Sequence, residues 1–219
     1  MTVVEQQPTQ AQPAAARRAM IDSQLRVSGV NDPAVLAAFA SVAREDFVPE
    51  ARHGVAYADR SVPLGNGRVL APALTHGKML IEAAPVVTDS VLIVGGGSGY
   101  LAAVVAPLVG KLTVVESDPA LAQGLPPRAG HWQIGPLAEG NAAGAPYTLI
   151  LIDGAIDNVP PALAAQLAEG GRLVTGLVER GVTRLATGRK VDGNVVLTVL
   201  AEADFAPLAE FAAPKAWSF

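Results

Sequence analysis

The fold is decided by the stretch Val91-Leu92-Ile93-Val94-Gly95-Gly96-Gly97-Ser98-Gly99-Tyr100, in which an apolar run passes into alternating glycines and then into an alanine-rich segment. This order predicts a strand, a tight loop and a helix, the place where an α/β domain holds a nucleotide-like cofactor. Gly95, Gly97 and Gly99 lack a Cβ atom where the backbone turns sharply and a ligand comes close. The helix that follows offers free N–H groups and the positive end of its dipole.

A second apolar run ends in an acid about twenty residues downstream, as in dinucleotide-binding domains. This acid is Glu116, which follows Leu112-Thr113-Val114-Val115. A carboxylate in this place accepts hydrogen bonds from both ribose hydroxyls. Strand, glycine loop, helix, strand and terminal acid in this order predict a cofactor site; the alternative is a glycine-rich turn with a structural role only.

Composition predicts one well-packed domain, because half of the 219 residues are hydrophobic. A net charge of −4 with scattered basic residues argues against nucleic acid or an anionic membrane as a partner. Apolar runs stay shorter than a membrane span and the first residues are polar, so we expect a cytoplasmic protein without a membrane partner. The lack of cysteine excludes disulfides, thiol catalysis and cysteine-bound zinc.

The front of the chain predicts a helical cap. Residues 1–13 are polar and form an expected disordered tail. A helix over 14–27 should end at Gly29, and Asn31-Asp32-Pro33 supplies an N-cap and a first-turn proline for a second helix. Residues 56–67 are rich in Gly and Pro and predict an irregular loop before a helix over 73–84.

Residues 85–219 predict the core of the domain. Strands and helices alternate there, which indicates a mostly parallel sheet with helices on both faces, the Rossmann-like class. The expected pieces are a strand over 147–153, a helix over 160–168 closed by Gly170-Gly171 and a strand over 172–178. Asp192-Gly193 lies between two apolar runs and predicts a closing antiparallel hairpin.

The ordered motifs resemble the protein-L-isoaspartate O-methyltransferases over most of the chain. The matching pieces are Met20–Leu25 with Gly29, Val35-Leu36, Arg44-Glu45-Asp46-Phe47-Val48-Pro49, Ala56-Tyr57-Ala58-Asp59, Pro63-Leu64-Gly65, the glycine loop through Ala103, Ala145-Pro146-Tyr147, Ile152–Ala155, Pro160–Leu173 and Phe205-Ala206-Pro207-Leu208. The resemblance implies a methyltransferase that uses S-adenosylmethionine to esterify isoaspartyl residues of proteins or peptides. It places Gly95, Gly97 and Gly99 around the methionine portion of the cofactor and Glu116 on its ribose.

Three positions depart from the family's pattern. Ile93 stands where the family usually has an acid that helps to hold the cofactor's ammonium group. The run Ile134-Gly135-Pro136-Leu137 has no carboxylate where the family has an Asp that contacts the adenine amino group. Ala71, in Arg68-Val69-Leu70-Ala71-Pro72, stands near the place of the family's acceptor-site serine. Loss of one charge-assisted contact weakens binding by about tenfold to a hundredfold.

One hypothesis is an active methyltransferase, in which positioning of the acceptor carboxylate provides most of the catalysis. Asp59, Arg60 and the Ala71 position are then the candidate catalytic residues, with Thr75 and His76 nearby in sequence. Arg60 would pair with the substrate's carboxylate through its planar fork, or else form only a surface ion pair.

The other hypothesis is a methyltransferase-like binding or scaffold module without turnover. Asp153 bears on both hypotheses: at the end of a parallel strand it could replace a lost cofactor contact, or it could close an Asx turn before Gly154.

Other classes of site fit less well. His53, His76 and His131 show no metal-ligand spacing, so no metal site is predicted. Gly97-Ser98-Gly99 is not the nucleophile elbow of a hydrolase, because Tyr100 stands where that motif needs glycine.

Overall fold

The computed structural model describes residues 11–121 and 129–212. A seven-stranded sheet runs through this part of the chain in the order β5-β4-β3-β6-β7-β8-β9, with β3 (Ser90–Val94), β4 (Lys111–Glu116), β5 (His131–Ile134), β6 (Tyr147–Ile156), β7 (Leu167–Glu179), β8 (Val182–Val191) and β9 (Asn194–Glu202). Strands β3 to β7 pair in parallel, whereas β7–β8 and β8–β9 pair antiparallel. The prediction of a mostly parallel sheet with a closing hairpin is confirmed.

The central strands are buried on both faces, as their continuous apolar sequences require. Alternate residues of β3 enter two different cores. Val91 and Ile93 pack with the N-terminal helices, whereas Leu92 and Val94 pack against the other face, where Leu163 and Phe211 lie. Within the ranges described, no helix is long and apolar enough to cross a bilayer.

The N-terminal cap follows the predicted order of helices with an earlier start. Helix α1 (Ala11–Met20) continues as a π turn and a 3-10 turn that end at Gly29, where φ is +92°. Its start places residues 11–13 of the predicted tail in a helix, and residues 1–10 lie outside the described part. Helix α2 (Pro33–Ser41) begins as predicted, because Asp32 Oδ1 accepts the Ala34 and Val35 amide protons at 2.9 Å.

Two segments differ from the prediction. The irregular stretch contains a short antiparallel hairpin, β1 (Val62–Gly65) and β2 (Arg68–Leu70), before α3 (Ala73–Ala83). The later helix α5 (Pro161–Gln166) is shorter than expected, since Leu167, the first residue of β7, already pairs with Tyr147 of β6. The glycine pair at 170–171 therefore lies inside a strand and does not cap the helix; the remaining helix, α4 (Tyr100–Val105), follows the glycine loop.

The final hairpin forms where Asp192-Gly193 predicted it. Asp192 has φ +49° and Gly193 has φ +77°. Two successive residues with positive φ are what a two-residue type I′ turn requires. Val191 pairs with Asn194 directly beside the turn, and the register continues from this pair along β8 and β9.

Asp89 links three neighbouring strands, because it directly precedes β3 and its partners Thr148 and Arg172 lie in β6 and β7. Its carboxylate accepts hydrogen bonds from Thr148 Oγ1 at 2.6 Å, the Val86 amide at 2.9 Å and Arg172 Nη2 at 2.6 Å. Burial alone would raise the pKa of Asp89, but the bonds from Thr148, Val86 and Arg172 together hold that pKa below its usual value. In the unfolded chain, by contrast, the pKa of Asp89 has the ordinary value of about 4.

Because the folded-state pKa is depressed, ionised Asp89 stabilises the fold above about pH 4, and this contribution disappears as the pH falls through the folded value. We expect Asp89→Asn to lower the free energy of unfolding at pH 7 by about 1–3 kcal/mol. The difference between variant and parent should shrink steadily in urea titrations between pH 5 and 3, a range set by the ordinary Asp value of about 4. A difference that stays constant over that range would contradict this role.

Candidate active site

The site lies at the carboxyl ends of three parallel strands. Val94 ends β3, Glu116 ends β4, and Asp153 lies near the end of β6. Since β3 pairs with both β4 and β6, these ends meet at one edge of the sheet, where α/β sheets bind their ligands.

The glycine loop has a packed side and an open side. A Cβ atom on Gly96 would lie 2.3 Å from Val114 Cγ1 and 2.8 Å from the Trp132 ring, so the loop rests directly on the sheet there. A Cβ atom on Gly97, which has φ +54°, would have Leu64 Cδ1 at 3.7 Å as its nearest contact among the described residues. The open side of the loop at Gly97 therefore has room for a ligand.

Glu116 is fully buried beneath this open side. Its Oε2 accepts the Gly97 amide proton at 2.6 Å. Its Oε1 accepts from the Ser117 and Asp118 amides at 2.9 and 3.0 Å and from Arg68 Nη1 at 2.7 Å. Oε1 thus accepts three hydrogen bonds, and the remaining acceptor capacity of the carboxylate is on Oε2.

The β1–β2 hairpin reaches over the loop and is tied to the end of β4. Besides the Arg68–Glu116 ion pair, Asn66 Nδ2 donates to Asp118 Oδ2 at 2.8 Å. Arg68 Nη2 would lie 3.2 Å from a Cβ atom on Gly95. Arg68 was not among the site residues predicted from the sequence, although it lies in the same run, residues 68–72, as the candidate position Ala71.

Asp153 forms a buried pair with His76. The His76 Nε2 and Asp153 Oδ1 atoms are 2.8 Å apart, the His76 side chain is fully buried and that of Asp153 is 12% exposed. An ionised Asp153 requires the proton on Nε2. Strand β6 continues to Ile156, and its pairing with β7 shifts between Ile152 and Ala155. Asp153 therefore lies in a strand irregularity, and the strand does not end there in an Asx turn.

The other expected acceptor residues are spread out. Asp59 and Arg60 are exposed, and Arg60 makes no side-chain hydrogen bond or ion pair within the described ranges. Asp59 and Thr75 line one surface cleft, in which Thr75 Oγ1 donates to Asp204 O at 3.4 Å. Ala71 is buried, and its carbonyl accepts a bond from Arg44. The structure does not bring Arg60 into contact with Asp59 or with a buried ligand group.

Several buried polar atoms near the loop have no partner among the described residues. They are Arg44 Nη1, His76 Nδ1, Ser98 Oγ and Tyr100 Oη. Burial raises the pKa of Tyr100 to about 12, so its hydroxyl stays protonated at neutral pH. Buried polar groups are normally satisfied, and unsatisfied ones clustered at a strand edge indicate a polar ligand.

Glu210 supplies a carboxylate at the turn after β5. Its Oε2 accepts the Leu137 amide proton at 2.9 Å, next to Pro136, where the resemblance leads one to look for an acid. A cavity of about 170 Å³ opens beside it, lined by Asn66, Arg68, Ser117, Asp118, Leu137, Leu208, Ala209 and Glu210. No local pattern in the sequence could reveal Glu210, because the contact spans 73 positions.

The sequence matches one family model over nearly all of the described chain. This model, described as Protein-L-isoaspartate(D-aspartate) O-methyltransferase, matches residues 15–125 and 130–213. A protein of Koribacter versatilis named protein-L-isoaspartate O-methyltransferase is 37% identical, over 88% of this chain and 90% of its own. Protein-L-isoaspartate O-methyltransferase 1 of Rhodopseudomonas palustris (strain HaA2) is 35% identical, over 89% and 83%.

Solved structures share the fold. A structure titled protein-L-isoaspartate O-methyltransferase superimposes with a TM-score of 0.73 at 22% identity, covering 88% of this chain and 66% of that one. A Plasmodium falciparum structure, titled as a putative protein-L-isoaspartate O-methyltransferase in complex with S-adenosyl-L-homocysteine, has a TM-score of 0.70 at 18% identity, covering 90% and 98%.

Proposed function

Because the chain belongs to the protein-L-isoaspartate O-methyltransferase family, we propose that its glycine loop, Glu116 and Asp153 hold S-adenosylmethionine for methyl transfer to isoaspartyl residues. The activity is that of the family: the protein is an enzyme, S-adenosylmethionine is its cofactor, and proteins with isoaspartyl residues are its substrates. The scaffold alternative is not favoured, since relatives over most of the chain are named as the enzyme.

The observation that carries the proposed site is the bond from the Gly97 amide to Glu116 Oε2 at 2.6 Å, on the open side of the loop. It leaves acceptor capacity on a buried carboxylate next to an open backbone segment, which fits a ribose diol. The Ser98 hydroxyl, in the same loop, is buried and has no hydrogen-bond partner among the described residues, so it can take a ligand hydrogen bond.

Asp153 supports the methionine end of the site in place of the acid lost at Ile93. Ile93 pairs in register with Leu151, and Asp153 follows two residues later toward the same edge of the sheet. His76 occupies Oδ1, so Oδ2 is left for an ammonium group. A carboxylate shifted by one strand thus restores a charge-assisted contact of about 1.5–3 kcal/mol.

Glu210 supports the adenine end of the site. The ribose acid closes β4, so a base extending away from the glycine loop lies toward β5 and the cavity beside Leu137. Glu210 Oε2 already accepts the Leu137 amide, and its Oε1 can accept a proton from the exocyclic amino group. The carboxylate absent at Pro136 is then replaced from the C-terminal segment.

Glu210→Gln tests the adenine assignment through a pair of ligands. A carboxylate accepts from the 6-amino group and repels the 6-oxo group of S-inosylhomocysteine, whereas a glutamine amide serves either. We expect the preference of the parent for S-adenosylhomocysteine over the inosine analogue, measured calorimetrically, to fall about tenfold in the variant. Glu202→Gln, at an exposed position of β9, should keep the full preference. An unchanged preference in Glu210→Gln would place the base elsewhere.

The acceptor side lies under the cap, near Ala71. S-adenosylmethionine supplies a methyl group on a sulfonium, and its transfer to a carboxylate oxygen releases a neutral thioether without moving a proton. A carboxylate is already ionised at neutral pH, so the protein's task is orientation, not deprotonation. Asp59, Arg60 and the Ala71 position remain the acceptor residues expected from the sequence.

Calorimetric titration with S-adenosylmethionine and S-adenosylhomocysteine, repeated with an isoaspartyl peptide, tests the cofactor site. Micromolar binding is expected, followed by transfer of a radiolabelled methyl group to the isoaspartyl peptide and not to its aspartyl isomer. Absence of binding up to millimolar ligand, with and without peptide, would overturn the proposed site.

The remaining expectations extend this proposal. Residues 14–84 are taken as the cap and acceptor loop and residues 85–219 as the Rossmann-like core of one domain. A cytoplasmic location stays a prediction from composition and is tested by fractionating cells that express the chain. Binding of nucleic acid or of membranes is not part of the proposed function.

A further inference from the structure

Arg44 is a fully buried cation held beneath the cap. Its Nε donates to Ala56 O and its Nη2 to Ala71 O, both at 2.6 Å. These two carbonyls fix the plane of the guanidinium. Nη1 is buried as well and has no hydrogen-bond partner in the part of the chain that the structure describes.

The charge of Arg44 lacks a bonded counterion within the described ranges, since none of the ion pairs there includes it. The Tyr100 ring lies beneath it, with the guanidinium carbon 4.6 Å from the ring centroid. A cation–π contact stabilises the charge only in part. Burial lowers the pKa of Arg44, and Tyr100 and Asp153 oppose that change. A buried cation of this kind favours the binding of an anion.

His76 lies next to the same ring. The imidazole and Tyr100 ring centroids are 5.9 Å apart, and His76 Nε2 is engaged with Asp153. When Nε2 donates to Asp153 in the neutral ring, the unpartnered Nδ1 is a hydrogen-bond acceptor. By hydrogen-bond geometry, Arg44 Nη1 is thus a donor and His76 Nδ1 an acceptor without a partner among the described residues, while Tyr100 itself acts on the guanidinium and opposes the effect of burial on the pKa of Arg44.

We propose that Arg44 Nη1 binds the free carboxylate of the isoaspartyl acceptor and that His76 Nδ1 accepts the N–H group on the same carbon. An isoaspartyl residue carries both groups on its Cα, because its chain continues through the side-chain carboxyl. A normal aspartyl residue has its free carboxylate one carbon further away. Arg44 and His76 together would thus distinguish an isoaspartyl from an aspartyl residue and would also recognise the negative charge of its carboxylate. The inference rests on the proposed function.

The acceptor is favoured over the cofactor as the source of this carboxylate. Arg44 is bonded to Ala71 and Ala56 in the cap and acceptor loop, whereas the glycine loop and Glu116 occupy the cofactor side. Since Arg44 has no exposure to solvent, the acceptor reaches it only when a segment that covers it moves. Arg60, the guanidinium expected from the sequence, is already exposed and makes no contact with this cluster.

The test compares two peptides that differ only in the charge of the group that Arg44 would hold. One carries an isoaspartyl residue and the other its neutral α-carboxamide, and both are titrated in the presence of S-adenosylhomocysteine. The parent should prefer the carboxylate by about ten- to a hundredfold. Arg44→Gln should reduce the preference to near parity, and Arg44→Lys, which keeps the charge without the fork, should fall between.

Controls separate this role from a structural one. Arg189→Gln removes an exposed guanidinium whose side-chain hydrogen bond in the described part of the chain is to Gly170 O at 3.1 Å, and it should keep the full preference. Circular dichroism and melting temperatures identify variants that fold. If Arg44→Gln does not fold, the peptide preference of Arg44→Lys tests the proposed role. A variant with lower thermal stability but an unchanged peptide preference would show a structural role only.

The other outcomes are equally distinct. Loss of S-adenosylhomocysteine affinity in Arg44→Lys, with the peptide preference intact, would assign the carboxylate to the cofactor and overturn the inference. Loss of the preference in Arg60→Gln alone would overturn it in favour of the exposed arginine. Failure of the parent itself to bind S-adenosylhomocysteine or to methylate an isoaspartyl peptide would instead reject the proposed function.

Discussion

Glu116→Gln should weaken S-adenosylhomocysteine binding by about tenfold to a hundredfold, because a hydroxyl bond to the remaining acceptor position on Oε2 of a buried carboxylate is replaced by a weaker or mismatched contact. The glutamine NH₂ group would also face the amide donors of Gly97 or of Ser117 and Asp118, which surround both oxygens. Arg68 would lose its counter-charge. With its side chain 16% exposed, Arg68 can turn to water, so the free energy of unfolding should drop by about 2 kcal/mol, less than for a sealed pair.

Glu179→Gln is the matched control for Glu116→Gln. Glu179 pairs with Arg184 at 3.5 Å, and both side chains are at least 40% exposed. Such a surface pair contributes at most about 1 kcal/mol, and its loss should leave cofactor affinity unchanged. Calorimetric titration and urea unfolding of both variants check the prediction. Equal affinities for Glu116→Gln and the parent would show that the ribose does not bind at this carboxylate.

Gly97→Val should abolish measurable cofactor binding while the domain stays folded. The new side chain would project into the open side of the loop, where the nearest protein atom is Leu64 Cδ1 at 3.7 Å, and would take the ligand's space. The cost to folding is the strain of a β-branched residue at φ +54°, about 1–3 kcal/mol. Calorimetry should detect no heat of binding up to millimolar S-adenosylhomocysteine.

Two further glycine variants separate strain from ligand exclusion. Gly181→Val places the same side chain at φ +81° in the β7–β8 turn, where no described residue has an atom within 4 Å of the Cβ position, and should bind the cofactor normally. Gly96→Ala should instead reduce stability, since its Cβ atom would overlap Val114 and Trp132. Normal binding by Gly97→Val would move the cofactor away from this loop.

Features with a local physical cause could be predicted from the sequence. The Asp32-Pro33 cap, the Asp192-Gly193 turn and the Gly29 helix end each depend on bonds or dihedral angles within a few residues. The glycine loop and Glu116 were predicted for the same reason, as a strand–loop–helix pattern. The fold class then followed from the alternation of these elements.

Features that depend on distant partners could not be predicted. Residues 167–171 look like the end of a helix, but pairing with β6 extends them into a strand. Arg68 meets Glu116 across 48 positions, Glu210 meets Leu137 across 73, and Arg44 meets Ala71 across 27. No periodicity or spacing rule links such residues. The glycine loop of the candidate site is therefore predicted from the sequence, whereas its proposed adenine and acceptor ends rest on contacts that only the structure reveals.

Trp132 makes the glycine loop optically visible. Its indole packs behind the loop, close to the Cβ positions of Gly96 and Gly99, and its Nε1 donates to Ala129 O at 2.9 Å. The chain has two tryptophans, and Trp217 lies outside the described residues. With Trp217 replaced by phenylalanine, Trp132 would be the sole indole emitter, placed against the segment that we propose contacts the cofactor. Intrinsic fluorescence in a stopped-flow instrument would then follow cofactor arrival and departure in real time, without a label.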